Sequence, residues 1–385
     1  LLFEGSENIE RGQFDKYIQN AGGKLNANTS WDRTFYHEVL PSNQLKLGLW
    51  LESERMLHAK VDQKGIETQR EVVKEERRLR VDNQPYGSFV EEILKLAKAS
   101  NIQVNQLELV QDNFYTMNGS ALRGDMIGGA LPAELVLTIQ STADDAEIQK
   151  LLDKASMSSP AQAYNTKVLN NVFSLTLNGE PLDVTGVNSA QEHKTDPTER
   201  FADAIPQDDN PRDDIITKLK SAETLFEVEG GAGSSLKSEQ KRTLHVRGIV
   251  TVRDDGLLQC DVQLFKPIGS TFRFLCDYQN GEIAPPSLAY LSAGVGFCFM
   301  TQVGRYATIT KQKLNAYRIV QDNAFTIEND DAIAHPVDTH LFVEMDEPAG
   351  EAQTLLSMSE QTCFLHAAMR NEVPGIIQLQ TEAKA

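Results

Sequence analysis

The sequence predicts an α+β protein built of unlike parts, and three observations predict it. First, Val110-Gln111-Asp112-Asn113-Phe114-Tyr115-Thr116 returns 210 residues later as Val320-Gln321-Asp322-Asn323-Ala324-Phe325-Thr326, so the chain contains a duplication. Second, the later copy sits in a region of β-rich runs and two helical runs in the order β-β-β-α-β-β-α-β. Third, residues 1–92 share none of that repeat and open with a helix-turn-strand-turn-strand pattern around Gly22-Gly23.

In chain order, the Gly-Gly pair is followed by alternating residues to Thr29 and by Arg33-Thr34-Phe35-Tyr36. Pro41 to His58 predicts a helix with Leu45, Leu49 and Met56 on its apolar stripe. Gly65 to Arg80 predicts a charged helix in which Glu67, Glu71, Glu75 and Glu76 alternate with Arg70, Lys74, Arg77 and Arg78. A degenerate half-copy follows at 93–187: a helix over Phe89 to Ser100, a strand over Ile102 to Gln111, a strand over Glu134 to Gln140, a helix over Ala146 to Ala155 and a strand over Phe173 to Leu177. Asp144 and Asp145 supply a cap and favourable charge to the second helix.

Residues 188–240 predict a linker. From Glu192 to Asp214 there are eight acidic and three basic residues with three prolines, too little apolar surface to offset ordering entropy. Asp214 to Phe226 predicts a short helix within it. The last part, 241–385, begins with strands Leu244 to Val252 and Leu257 to Phe265 joined through Asp254-Asp255-Gly256, then Ser270 to Asp277. Pro285-Pro286-Ser287 opens an apolar helix carrying Cys298. Strands Leu314 to Val320 and Thr339 to Met345, a helix from Ala349 to about Gln361, Cys363 and a strand near Ile376 to Leu379 complete it.

A net charge of −18 without a basic cluster disfavours nucleic acid as a partner. The longest apolar run, Leu288 to Met300, is shorter than the roughly 20 residues of a spanning helix, and the first residues lack a signal-peptide pattern. The expectation is a cytoplasmic protein with no membrane partner. Four cysteines at 260, 276, 298 and 363 fit neither a zinc ribbon nor a disulfide scaffold. Cys260 and Cys276 fall in strands and are expected in the core. At the offset of the second helix, 204 residues, Cys363 answers Ser159; at the offset of 210, Cys298 answers Ser88. One copy has two thiols where the other has two hydroxyls.

Gly-Gly-x-x-Asn-Ala-x-Thr at 22–29, Arg33-Thr34-x-Tyr36, Arg70-x-Val72-Val73-x-x-Glu76 and Asp82-Asn83-Gln84-Pro85-Tyr86-Gly87 together resemble the amino-terminal domain of the insulinase/pitrilysin zinc metallopeptidases over residues 1–92. That family binds zinc through His-x-x-Glu-His and a later Glu, which the resemblance places at Glu76; a further acidic position of relatives is Gln69 here. The inverted motif is missing from the chain and would immediately precede Leu1. Zinc is therefore expected only if that segment exists upstream, since one carboxylate does not make a site. His37 and His58 each lack a helix-spaced partner, and structural roles are expected for both.

The order of elements at 241–385, with Ala293-Gly294-Val295-Gly296-Phe297-Cys298 and Glu360-Gln361-Thr362-Cys363, resembles the family of osmotically inducible protein C and the organic hydroperoxide resistance proteins. The resemblance implies that Cys298 attacks an organic hydroperoxide and Cys363 resolves the sulfenic acid as a disulfide. It implies no cofactor, a thiol reductant as recycling partner, and an internal pseudo-dimer or a homodimer, since relatives are intertwined dimers. Phe364 departs from the family's proline after the second cysteine. On the residues alone, Cys298 is ten residues into its helix, Arg273 and Arg305 are both candidates for an activating cation, and a packing role is the alternative. The competing function is a non-catalytic scaffold or binding protein that carries an inactive insulinase-like fragment.

Overall fold

The structure, a computed structural model, describes residues 6–10, 13–29, 34–58, 87–198, 214–220, 239–266, 269–279 and 281–381. It divides into two units, 1–78 and 79–385. The division falls earlier than the boundary at 92 expected from sequence, because the helix over 87–99 is packed into the second unit.

In the first unit, α1 (Gln13–Asn20) leads through Gly22, at φ +76°, into the antiparallel pair β1 (Lys24–Thr29) and β2 (Thr34–Val39). A 3₁₀ turn at Ser42–Gln44 precedes α2 (Leu45–Leu57). Phe14 and Ile18, one turn apart on α1, pack with Ile9 and Leu51. The expected stripe of α2 is corrected: Leu45, Leu49 and Met56 are exposed, and the buried face is Gly48, Leu51, Glu54 and Arg55. Polar residues can occupy that face because each is matched. Ser6 Oγ and Asn8 Nδ2 donate to the Glu54 carboxylate at 2.6 and 2.9 Å, and the Arg55 guanidinium lies over the Phe14 ring at 5.3 Å. The helix expected at 65–80 lies outside the described residues.

The second unit begins with α3 (Gly87–Ala99), β3 (Val104–Ser120), β4 (Ile127–Ser141), α4 (Asp145–Ser158), the short α5 (Pro160–Ala163), β5 (Val172–Leu177), β6 (Glu180–Leu182) and β7 (Asn188–Ser189). After β8 (Ile216–Lys220) come β9 (Glu239–Val252), β10 (Leu258–Lys266), β11 (Thr271–Cys276) and the long α6 (Ser287–Thr310). The chain ends with β12 (Leu314–Asp322), a small hairpin of β13 (Phe325–Glu328) and β14 (Asp331–Ala334), β15 (Asp338–Met345), α7 (Ala349–Thr362), α8 (Phe364–Arg370) and β16 (Ile376–Thr381). The seven-stranded sheet has the order β16-β4-β3-β9-β10-β11-β8, and the other runs β12-β15-β5-β6 with β7 beside β5. No helix among the described residues is long and apolar enough to cross a membrane.

The half-copy and the last part are not separate bodies, since β3 pairs with β9 along its length and each sheet draws strands from both. Two series share one order, α3-β3-β4-α4-α5-β5 and α6-β12-β15-α7-α8-β16, the second interrupted by the hairpin. Their last strands are exchanged. β16 runs parallel to β4 with Ile376 opposite Glu134, and β5 runs parallel to β15 with Val172 opposite Asp338. One offset, 204 residues, carries the first pair onto the second.

Two expectations for the linker are corrected. In place of a helix at 214–226, Ile216–Lys220 is an edge strand on β11, whose free side it covers, and residues 221–226 lie outside the described residues. Residues 188–198 lie against the smaller sheet through polar contacts. Lys194 Nζ reaches Asp322 and Asp338 at 2.6 and 2.9 Å, its N–H donates to His340 Nδ1 at 2.9 Å, and Arg318 holds Asp196 at 2.7 Å. The charge that argued against a core here serves as ion pairing. Asp144 caps α4 through a reciprocal pair with Glu147, as its sequence predicts.

Candidate functional site

Cys298 sits at the middle of α6, on the face that also carries Leu291, Val295, Gln302 and Arg305. That face is buried because α6 packs between the smaller sheet and the α7–α8 corner, with Phe299 against Phe173 at 5.6 Å between ring centres. Cys363 is the single extended residue between α7 and α8, with φ −72° and ψ 124°. Arg370 fixes this corner: it donates to the carbonyls of Glu360 and Gln361 at 2.8 and 3.0 Å, to Gly128 of β4 at 3.4 Å, and pairs with the Glu360 carboxylate.

The structure brings Cys298 and Cys363 together. Their thiols are hydrogen-bonded, and both side chains are fully buried. Burial pushes the Cys298 thiol up, but the Cys363 hydrogen bond, the backbone N–H groups of Leu365 and Phe364, and the charge of Arg305 outweigh it and hold Cys298 below the ordinary thiol value. Cys363 moves the other way, well up, through burial and through donating to its partner. The two environments move the pair apart, Cys298 down and Cys363 up. Cys260 and Cys276 are buried on neighbouring strands, and burial first of all raises both.

Of the two cations open from sequence, Arg305 acts on Cys298, whereas Arg273 is engaged with Asp261 through two bonds of 2.7 Å. Arg305 donates to Gln302 Oε1 at 2.8 Å. Burial, then the nearby Arg242 guanidinium, lowers its pKa to about 9. One contributor was not legible in sequence: Glu91 of α3, whose carboxylate accepts the Ser287 N–H at the start of α6 at 2.9 Å. Its signal, a carboxylate on the buried face of α3, is 196 residues from the helix it caps.

The equivalent corner of the first series has Ser88 on α3 and Ser159 between α4 and α5, with Oγ atoms 3.4 Å apart and both buried. Ser159 has the same backbone conformation as Cys363, φ −80° and ψ 117°. Beside the thiol pair a narrow cleft opens to solvent, bounded by Leu291 and Val295 of α6, Leu365 of α8, Tyr164, and Asn113 and Tyr115 of β3. Tyr290, Phe297, Phe299 and Met300 of α6 are not among its walls.

In the first unit, Glu76 and Gln69 lie outside the described residues, as does the side chain of His37. His58 is 3.6 Å from Glu7 on the surface. Among the described residues there is no group of three His, Cys, Asp or Glu side chains able to hold a metal.

Residues 1–108 match the Insulinase (Peptidase family M16) sequence family, extending the expected 1–92 through α3 and into β3. The chain is also 38% identical over 87 residues, 23% of its length, to the zinc protease PqqE of Helicobacter pylori. It spans 20% of that relative's length. The amino-terminal part is thus an insulinase-like segment, joined to a unit of different architecture. Neither match bears on the resemblance of 245–380 to the osmotically inducible protein C family.

Proposed function

We propose that the second unit is a dithiol that reduces organic hydroperoxides, with Cys298 as attacking thiolate and Cys363 as resolving thiol. The observation that carries this reading is the convergence on Cys298 of the Cys363 thiol, two backbone amides and the Arg305 charge. In the first step the Cys298 thiolate attacks the terminal peroxide oxygen, the O–O bond breaks, and the alkoxide leaves as an alcohol after taking up a proton. Cys298 becomes a sulfenic acid. The Cys363 thiol then attacks that sulfur, forming the disulfide and releasing water, and an external thiol reductant supplies the two electrons that reopen it. Both thiols are fully buried, so this reading requires the Val295 and Leu365 side chains to part when a peroxide enters. The exchanged strands β5 and β16 support an internal pseudo-dimer, for which the chain would run as a monomer in sedimentation.

Peptide mapping after one equivalent of cumene hydroperoxide tests the reading. The expected product is a Cys298–Cys363 disulfide, with Cys298→Ser inert and Cys363→Ser halting at a trappable sulfenic acid. Two thiols that stay reduced under excess peroxide would overturn it.

The second reading is a non-catalytic binding or scaffold protein that carries an insulinase-like segment, and the family match favours it together with the complete burial of both thiols. Peptide cleavage by this chain is not part of either reading. Metal analysis of the purified 385-residue chain is expected to find zinc well below one equivalent, and a stoichiometric ion lost on Glu76→Gln would restore a metal site.

A further inference from the structure

The duplicated Val-Gln-Asp-Asn has no part in the thiol chemistry, yet both copies converge on the cleft beside it. From the first copy, Asn113 is a cleft wall and 7% exposed. Its Oδ1 accepts from Gln111 Nε2 at 3.1 Å, and its Nδ2 has no hydrogen-bond partner among the described residues. From the second copy, Asn323 Oδ1 accepts the hydroxyl proton of Tyr164 at 2.7 Å, and Tyr164 is a cleft wall stacked edge-on against Phe325. The tyrosine's donor is therefore engaged, and burial keeps its hydroxyl protonated. Asn113 Nδ2 is thus a buried cleft donor without a partner among the described residues, in a lining that also includes Tyr115 and the half-buried Asn165.

The remaining walls are apolar apart from Tyr115 and Asn165, and none of the cleft's residues carries a charge. A carboxylate or ammonium entering would lose its hydration with no counter-charge to replace it. An apolar body would gain from burial against Leu131, Leu291, Val295 and Leu365, and an oxygen acceptor would satisfy the amide that a dry apolar ligand leaves unmet. We propose that this cleft is a binding site for an uncharged, largely apolar small molecule bearing a hydrogen-bond-accepting oxygen, which Asn113 Nδ2 receives. The site does not depend on turnover at Cys298.

The test uses the full chain with Cys298→Ser, so that thiol chemistry cannot enter, labelled at asparagine side chains. Acetophenone, ethylbenzene and benzoate serve as probes for acceptor, hydrocarbon and anion. Acetophenone is expected to saturate and to shift the Asn113 side-chain amide, binding about tenfold tighter than ethylbenzene, which leaves that resonance in place. Benzoate is expected to bind at least about tenfold more weakly than acetophenone. Asn113→Leu should bring acetophenone and ethylbenzene to equal affinity. No saturation by about 10 mM acetophenone, saturation without movement of the Asn113 amide, or benzoate bound as tightly as the ketone would each overturn the proposal. The shift of the Asn113 amide in the Cys298→Ser chain decides the matter even if Asn113→Leu does not fold.

Discussion

The Ser88–Ser159 corner and the Cys298–Cys363 corner share a backbone plan and differ in what surrounds it. In both, one residue on a helix faces one extended residue between two further helices, and the extended residues differ by no more than 8° in φ and 7° in ψ. The residue after the extended one is Pro160 in the first corner and Phe364 in the second. Proline has no N–H, so the first corner lacks a donor that the second aims at Cys298. At the position of Arg305 the first series has Lys95, exposed and paired with Glu92 at 2.9 Å. The lowering of the Cys298 thiol is thus a property of the donors around the corner as much as of the cysteine in it.

Transplanting the thiols alone should break the resemblance between the corners most sharply. The double variant Ser88→Cys and Ser159→Cys is expected to give thiols that alkylate at least about 100-fold more slowly at pH 7 than Cys298, since two charge-assisted interactions are missing, each worth roughly 1.5–3 kcal/mol. Mass-spectrometric alkylation rates check this, and equal rates would show that the flanking groups are immaterial. Next in size is Arg305→Met, which keeps the length of the side chain and removes the charge. The alkylation of Cys298 should slow by about 10- to 100-fold at pH 7, with its pH profile displaced upward.

Phe364→Pro imports the first corner's residue at a position where a helix accepts proline. With the Leu365 amide still in place, about a tenfold slowing is expected, in the same alkylation assay. A profile unmoved by this change would assign the effect to Arg305 and Cys363 alone. The smallest effect is on stability. His366, at the position of Gln162, is fully buried, and burial followed by the charge of Arg370 depresses its pKa to about 3. The unfolded chain takes up that proton first, so the contribution is complete above the ordinary histidine value and is lost as pH falls from about 6.5 toward 3. His366→Gln should lose about 1 kcal/mol less stability than the parent between pH 6 and 5, measured by urea unfolding.

Much of this molecule was legible locally. The alternation at 134–140 and 173–177, the acidic cap before 146 and the proline pair before α6 each act within a few residues, and each element formed where its pattern stands. The repeated Val-Gln-Asp begins at the seventh residue of both β3 and β12, with Asn113 inside β3 and Asn323 just past the end of β12. The insulinase-like segment was legible as a resemblance carried by Gly-Gly-x-x-Asn-Ala-x-Thr and the motifs after it, and residues 1–108 match that family.

Other features depended on partners far along the chain. The buried face of α2 differs from its apolar stripe because the partners of Glu54 and Arg55 lie between 41 and 48 residues away, at Ser6, Asn8 and Phe14. A strand formed at 216–220 because β11 presented an edge, which its own spacing could not announce. Sequence alone determined most of the helices and strands and which cysteines stand at matched positions, since local sterics and periodicity act over one or two turns. Only the tertiary structure decided that Cys298 is the thiol whose pKa is lowered, because the amides of Phe364 and Leu365 reach it across some 65 residues of chain, and hydrogen bonds and charges act through space.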